Sequence, residues 1–324
     1  MSKSKYVYVL RVCDADMTSR NDFRWPEAGM VECPDWDAKA ECGNGLHGWM
    51  HGEGDHAVGN INPDSKWLVV KVLRSDVVDL VGKVKFPRCE VVYCGDKHGA
   101  GEYLRKYDKE SHGKAVIGAT VVCGDGGMIL AGAYGVGTGG DCAKVTGGDC
   151  ATVTGGDCAT VTGGDGATVT GGDCAKVTGG DCATVTGGDC ATVTGGDCAK
   201  VTGGNSAKVT GGYGATVTGG DGAKVTGGDG TTVTGGDGAT VTGGDCAKVT
   251  GGDCATVTGG NGATVTGGNR ATVTGGIRCE LRLSYWDDAA LRRRTVIAYV
   301  GEGGIEAGVA YRLDDSHCFV KVQS

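Results

Sequence analysis

Four side chains in the first third of the chain are of the types that bind metal. Cys33, Cys42, His47 and His51 follow a C-x8-C-x4-H-x3-H spacing, with Asp55 and His56 close behind. Two thiolates and two imidazoles suit a tetrahedral zinc site, and His47 and His51 have ligand-like spacing. The first spacing, however, exceeds the usual two to four residues, and Gly-rich loops such as Gly43-Asn44-Gly45 commonly hold histidines with no metal. Satisfied structural residues, or a single catalytic histidine, fit the same pattern. The chain shows neither a Gly-rich phosphate loop followed by Lys-Ser/Thr nor a serine elbow. No residues nominate a reaction, so the expectation is a non-catalytic protein without a cofactor, and metal binding is not expected.

The larger chemical inventory lies further on. Of 17 cysteines, nine recur at one position of an octapeptide: Cys142, Cys150, Cys158, Cys174, Cys182, Cys190, Cys198, Cys246 and Cys254. The unit, Ala-Thr/Lys-Val-Thr-Gly-Gly-Asp-Cys, repeats 17 times from Ala143 to Gly276 without insertion or deletion. Weaker copies precede it at Ala119–Gly126 and Gly135–Cys142. The cysteine position also holds Gly166, Ser206, Gly214 and Arg270, so it is read as a small turn residue rather than an essential ligand.

Strict periodicity of this kind specifies a solenoid. Ala-Thr-Val-Thr alternates with the period of a half-buried strand, placing Ala and Val inside and the hydroxyls outside. Gly-Gly-Asp-Cys/Gly supplies a turn, where Gly admits positive φ and Asp bonds its own backbone. Gly makes up 65 of 324 residues, but a period of eight and four prolines exclude collagen. Eight residues are too few to close a coil. Sixteen give a flat two-sided solenoid and twenty-four a three-sided one, and the two-sided form is expected. Stacked coils then place residue i on i+16 at about 4.8 Å. A single coil buries two valines, worth at most roughly 3–6 kcal/mol. Ordering its sixteen residues costs about 1–2 kcal/mol each for the backbone alone. Only stacking makes the array fold, and its ends require caps.

With two units per coil, the lysines divide the faces unequally. Lys144, Lys176, Lys208 and Lys224 fall on one face, Lys200 and Lys248 on the other. The second face is the cleaner hydroxyl array. Its rows pair Thr152 with Thr154, Thr168 with Thr170, Thr184 with Thr186, Thr216 with Thr218, Thr232 with Thr234, and Thr264 with Thr266. Spacings of about 4.8 Å between coils and about 6.8 Å along a strand suit a surface of ordered water. Equally, Thr favours exposed β positions and Lys opposes face-to-face aggregation, which suits a plain structural spacer.

Gly212-Tyr213-Gly214-Ala215-Thr216-Val217-Thr218-Gly219 resembles the Gly-Tyr-Gly-Ser-Thr-Gln-Thr-Ala octapeptide of bacterial ice-nucleation proteins. That resemblance covers roughly residues 119–276. It implies sixteen-residue β-solenoid coils whose Thr-x-Thr rows order water, terminal coils linked to multimerisation, and hence a homo-oligomer or filament. The sequence departs from that pattern in three ways. Asp or Asn replaces the Tyr in nearly every unit, Val replaces the inward Gln, and six units carry Lys before Val. The Gly-Gly-Asp-Gly turn is also similar to the calcium-binding β-roll, but the second Asp of that motif is Thr or Lys here and the period is eight.

Charge narrows the partners. Residues 119–276 carry 14 Asp, six Lys and one Arg, leaving −7 of the chain's −8, the wrong sign for neutralising phosphates, so nucleic acid is not an expected partner. No stretch approaches the roughly 20 apolar residues of a membrane span. The opening Met1–Leu10 lacks the apolar run and cleavage site of a signal peptide, and synthesis in the cytoplasm with reduced thiols is the expectation.

Three regions follow: an α+β domain over 1–118, the solenoid over 119–276 and a β cap over 277–324. In the first, Tyr6–Val12, Trp67–Leu73 and Glu90–Tyr93 read as strands. Asp35 is a candidate cap for a short helix before Gly43, and Gly101–Lys109 for another. Asp16-Met17-Thr18-Ser19-Arg20 and Cys42-Gly43-Asn44-Gly45-Leu46-His47 are similar to an uncharacterised module of bacterial and phage proteins. In the last region Cys279, Leu281, Leu283 and Tyr285 alternate, and Thr295–Val300, Val309–Leu313 and Phe319–Val322 complete a small β unit. Arg292, Arg293 and Arg294 are expected as charged gatekeepers on its edge, with the acidic repeat column as another candidate neighbour.

Overall fold

The computed structural model describes residues 4–55 and 62–322; His56 lies outside them. The chain divides into two compact units, residues 1–122 with 130–137, and residues 123–129 with 138–324.

In the first unit seven antiparallel strands form one sheet. In chain order they are β1 (Tyr6–Cys13), β2 (Gly29–Glu32), β3 (Leu46–Met50), β4 (Lys66–Leu73), β5 (Val78–Asp79), β6 (Val84–Phe86) and β7 (Arg88–Gly95). Their order across the sheet is β2-β7-β4-β1-β3-β6-β5. Alternation along β4 sends Leu68, Val70 and Val72 to one core and Trp67 and Val69 to the other. One helix, α1 (Lys97–Tyr107), packs Ala100 and Leu104 into the second core, and its Asp96 cap accepts a hydrogen bond from the Gly99 N–H. That helix starts four residues earlier than the Gly101–Lys109 reading, because Asp96 is the stronger capping residue. The short helix before Gly43 does not form. Residues 35–43 contain no helix, and the Asp37 carboxylate accepts from the Lys39 N–H as an Asx turn instead.

In the second unit the sixteen-residue, two-sided coil is the structure. Two sheets alternate along the chain, and every repeat strand pairs in parallel with the strand sixteen residues away. Val153, Val169, Val185 and Val201 stack in one sheet and Val161, Val177 and Val193 in the other. All of these valines are fully buried, as are the alanines that precede them.

The turn is built differently from its sequence reading. Neither glycine of the pair has positive φ; that conformation belongs to the eighth residue, where Cys142, Cys158 and Cys174 all sit at φ 57°. The glycines are required by close approach. A methyl at Gly187 would lie 2.6 Å from Val193 Cγ2 and 2.9 Å from Ala191 Cβ. One at Gly188 would lie 2.1 Å from Asp173 Oδ1 in the preceding coil. A left-handed non-Gly residue costs roughly 1–2 kcal/mol, so each cysteine is held at a position where Gly166, Gly222 or Gly238 sits without strain.

The acidic column has a structural role as well. Asp181 Oδ1 accepts from the Asp197 N–H at 2.8 Å, Asp165 from Asp181 at 2.9 Å, and so on along the stack. The bond therefore runs between coils rather than within the local turn. Asn205 and Asn261 do the same work, to Asp221 and Ile277, both at 2.9 Å. The Tyr213 N–H donates such a bond to Asp197 Oδ1, but Tyr213 has no side-chain acceptor of that reach for the Asp229 N–H. Tyr213→Asn is thus expected to complete the ladder and stabilise the array by about 1 kcal/mol. A thermal midpoint that stays level or falls would count against it.

Four strands close the solenoid. Glu280–Asp287 continues one sheet in parallel, pairing Leu281 with Val265, and is covered by antiparallel Arg292–Tyr299. On the other sheet Ala310–Leu313 pairs antiparallel with the last repeat strand, and Phe319–Lys321 with it. Arg293 meets the acidic column directly, with two bonds of 3.1 and 3.0 Å to the Asp253 carboxylate. The Asn269 N–H and then Arg293 hold the Asp253 carboxyl below its ordinary 3.8. Because that value is depressed on folding, the contribution to stability is complete above the ordinary value and is lost as pH falls through the lowered one. In Arg293→Ala the Asp253 midpoint should rise yet stay below the ordinary value, since the Asn269 N–H remains. A carboxyl NMR titration that shows no upward movement would contradict the pairing.

Candidate functional site

The hydroxyl array follows from the register. The side chains flanking each buried valine must point outward, and stacking at i+16 aligns them in columns. Thr152, Thr168 and Thr184 form one continuous run, Thr216 and Thr232 another, and their partners Thr154, Thr170, Thr186, Thr218 and Thr234 form the parallel column. Thr152, Thr168, Thr184, Thr216 and Thr232 are exposed; Thr264 and Thr266 are half-buried beside Glu280 and Arg282. The run is interrupted at Lys200, between Thr184 and Thr216, and at Lys248. On the opposite sheet Lys208 and Lys224 are direct neighbours, and Lys176 separates Thr160 from Thr192. The lysines therefore fall on the two sheets as the spacing implies. What the surface offers is a two-dimensional grid of hydroxyls over a backbone whose N–H and C=O groups are spent on the neighbouring coils.

The metal-type residues of the first unit do not assemble. Cys33 Sγ bonds Asp35 at 2.8 Å, Cys42 Sγ receives Lys83 Nζ at 3.0 Å, and His51 Nδ1 lies 2.7 Å from the buried Asp108 carboxylate. Among the described residues no three His, Cys, Asp or Glu side chains gather as a metal ion requires. Long spacing in a loop-rich segment allowed Cys33, Cys42 and His51 each to find a nearer partner. Cys33, Cys42 and His47 do line one cavity of about 850 Å3, which also receives Thr18, Ser19 and Asn44 from the two motif stretches. Among its other lining residues are three with no sequence signal: Arg11, whose guanidinium lies 5.3 Å from the Trp25 ring, Trp25 itself, and Lys83. Burial, with Lys83, Arg11 and Lys85 adding to it, pushes His47 down to about 4, so it is neutral at pH 7. The Lys83 ammonium lowers the Cys42 thiol. The Arg11 Nε and the His47 Nε2 are buried without a hydrogen-bond partner.

Over about a third of its length the chain is similar to bacterial ice nucleation proteins. It is 40% identical to one from Pseudomonas fluorescens over 104 residues, 32% of this chain and 9% of that protein. A protein of the same name from Pseudomonas syringae is 37% identical over 98 residues, 30% of this chain and 8% of its own length. Ice nucleation protein InaU of Pantoea ananas is 32% identical over 104 residues, 32% and 10% respectively. The chain thus spans about a tenth of the length of the relatives it matches. Residues 7–106 match a family model described as "Domain of unknown function (DUF7666)". No solved structure matches the chain.

Proposed function

We propose that the sheet carrying Thr168, Thr184 and Thr216 binds ice or ice-like ordered water. The observation that carries this reading is the register: in that sheet Thr-x-Thr rows repeat coil after coil on a regular parallel framework. The likeness to ice nucleation proteins supports it. A grid of about 4.8 by 6.8 Å presents hydroxyls that both donate and accept, at fixed separations, without a dense charge that would impose its own hydration shell. Because unfavourable ordering of the surface is already complete on folding, adsorbing structured water costs the protein little further entropy.

About ten coils are a small template, so binding to ice and slowing its growth is the expected activity, and nucleation would need several molecules side by side. Thermal hysteresis and droplet freezing of the full chain, compared with Thr168/Thr184/Thr216→Lys, test the reading. Activity in the native chain and its loss in the variant are expected. If neither shows activity and the protein forms filaments under the electron microscope, the array is a structural spacer instead.

A further inference from the structure

The proposed hydroxyl face leaves the cysteines unused, although the structure sets them out along the two edges of the solenoid, one column per turn. On one edge Cys142, Cys158, Cys174 and Cys190 occupy four consecutive coils, followed by Ser206, Gly222, Gly238, Cys254 and Arg270. On the other, Cys182 and Cys198 are neighbours, while Cys150 is followed by Gly166 and Cys246 lies between Gly230 and Gly262. All nine are exposed, and none is in a disulfide.

Three observations set each thiol against the position one coil further on. Their φ values fall between 55° and 58°, so the side chains leave the backbone in one direction. A Cβ placed at Gly166 would lie 3.3 Å from Cys150 Sγ, and one at Gly214 would lie 3.6 Å from Cys198 Sγ. Each sulfur therefore reaches the next coil's position. Desolvation, and then Cys190 and Cys158 on either side, push the Cys174 thiol above its ordinary value. Coils about 4.8 Å apart lie inside the roughly 4.4–6.8 Å range of Cα separations that a disulfide accepts. The nine thiols also keep a left-handed backbone position that glycine fills elsewhere in the same chain, which turn formation alone does not require.

We propose that Cys142 with Cys158, Cys174 with Cys190, and Cys182 with Cys198 are sites of covalent closure, where a low-molecular-weight disulfide oxidises stacked thiols to bonds between successive coils. The chemistry balances by thiol–disulfide exchange. The Cys158 thiolate attacks RS–SR, forming Cys158–S–SR and releasing RS⁻. The Cys142 thiolate then attacks the Cys158 sulfur, its S–S bond forms and the second RS⁻ leaves. Two thiols lose two protons and two electrons, and one RSSR becomes two RSH. Each bond closes a sixteen-residue loop along the solenoid edge and ties one coil to the next. Cys150, Cys246 and Cys254, with no cysteine one coil away, can only form mixed disulfides.

The reduced full chain should be treated with oxidised glutathione at about pH 8.5, near the ordinary thiol value, then unfolded, alkylated and weighed intact. The wild type is expected to lose two hydrogens for each of three internal bonds. Cys142→Gly/Cys174→Gly/Cys182→Gly leaves no two repeat cysteines in consecutive coils and places glycine where this chain already uses it. That variant should keep its circular dichroism spectrum, form none of the three bonds and take up glutathione instead. Equal numbers of internal bonds in both proteins would overturn the proposal. So would a wild type that yields only glutathione adducts or only disulfide-linked dimers.

Discussion

Val185→Asp is expected to lower the thermal midpoint of the solenoid by about 10 °C and to open the array at one coil. Val185 is fully buried, stacked between Val169 and Val201, and its methyl groups face Gly179 across the coil. Its burial contributes roughly 1.5–3 kcal/mol, and a carboxyl group in its place finds no polar partner among valines and alanines. Together these losses come to about 4 kcal/mol or more. At roughly 2–4 °C per kcal/mol for a unit of this size, the midpoint falls by the stated amount. Because each coil touches only its neighbours, the damage is local, and limited proteolysis should cut near Gly187. Thr184→Asp places the same charge one residue away on the outer face and should cost less than about 1 kcal/mol. A Val185→Asp midpoint within about 2 °C of wild type would mean that the two sheets do not enclose a dry core.

The two faces should differ sharply in ice activity. Thr168/Thr184/Thr216→Lys disrupts the cleaner grid, whereas Thr160/Thr192/Thr240→Lys adds lysines where Lys176, Lys208 and Lys224 already interrupt the rows. Both variants move the formal net charge from −8 to −5, so any general effect of charge cancels in the comparison. Thermal hysteresis is expected to fall to the buffer value in the first and to stay above about half in the second, because ammonium groups carry tightly held hydration water that does not match an ice lattice. Equal losses would show that the whole solenoid, not one face, meets the water; equal retention would remove the hydroxyl grid from the activity altogether.

The repeat was legible because its information is local and repeated. Alternation at Ala-Thr-Val-Thr names the buried side, and the unbroken spacing of eight names the neighbours. The start of the β cap was legible for a related reason, since Cys279, Leu281 and Leu283 continue the inward pattern where the repeat ends, but the antiparallel pairing of its later strands was not. The strand Met128–Ala131 was not, because Ile129 and Ala131 carry its buried pattern without the Thr-Gly-Gly-Asp signature. In the first domain the strand alternation could be read, but the cavity could not. Arg11 and Lys83 are far apart in sequence and line one cavity because β1 and β6 flank β3 in one sheet.

The amino-acid sequence by itself determined the coil: its length, its two faces, which residues are buried, and where the lysines fall. Each of these depends on a residue's own neighbours or on copies sixteen residues away, so periodicity is enough to specify them. Only the tertiary structure decided the division of labour at the turn, where Asp reaches forward to the next coil, both glycines yield space and cysteine takes the left-handed position. It also decided that Cys33, Cys42, His47 and His51 do not gather as a set of four. Those outcomes depend on distances between groups that the sequence does not order.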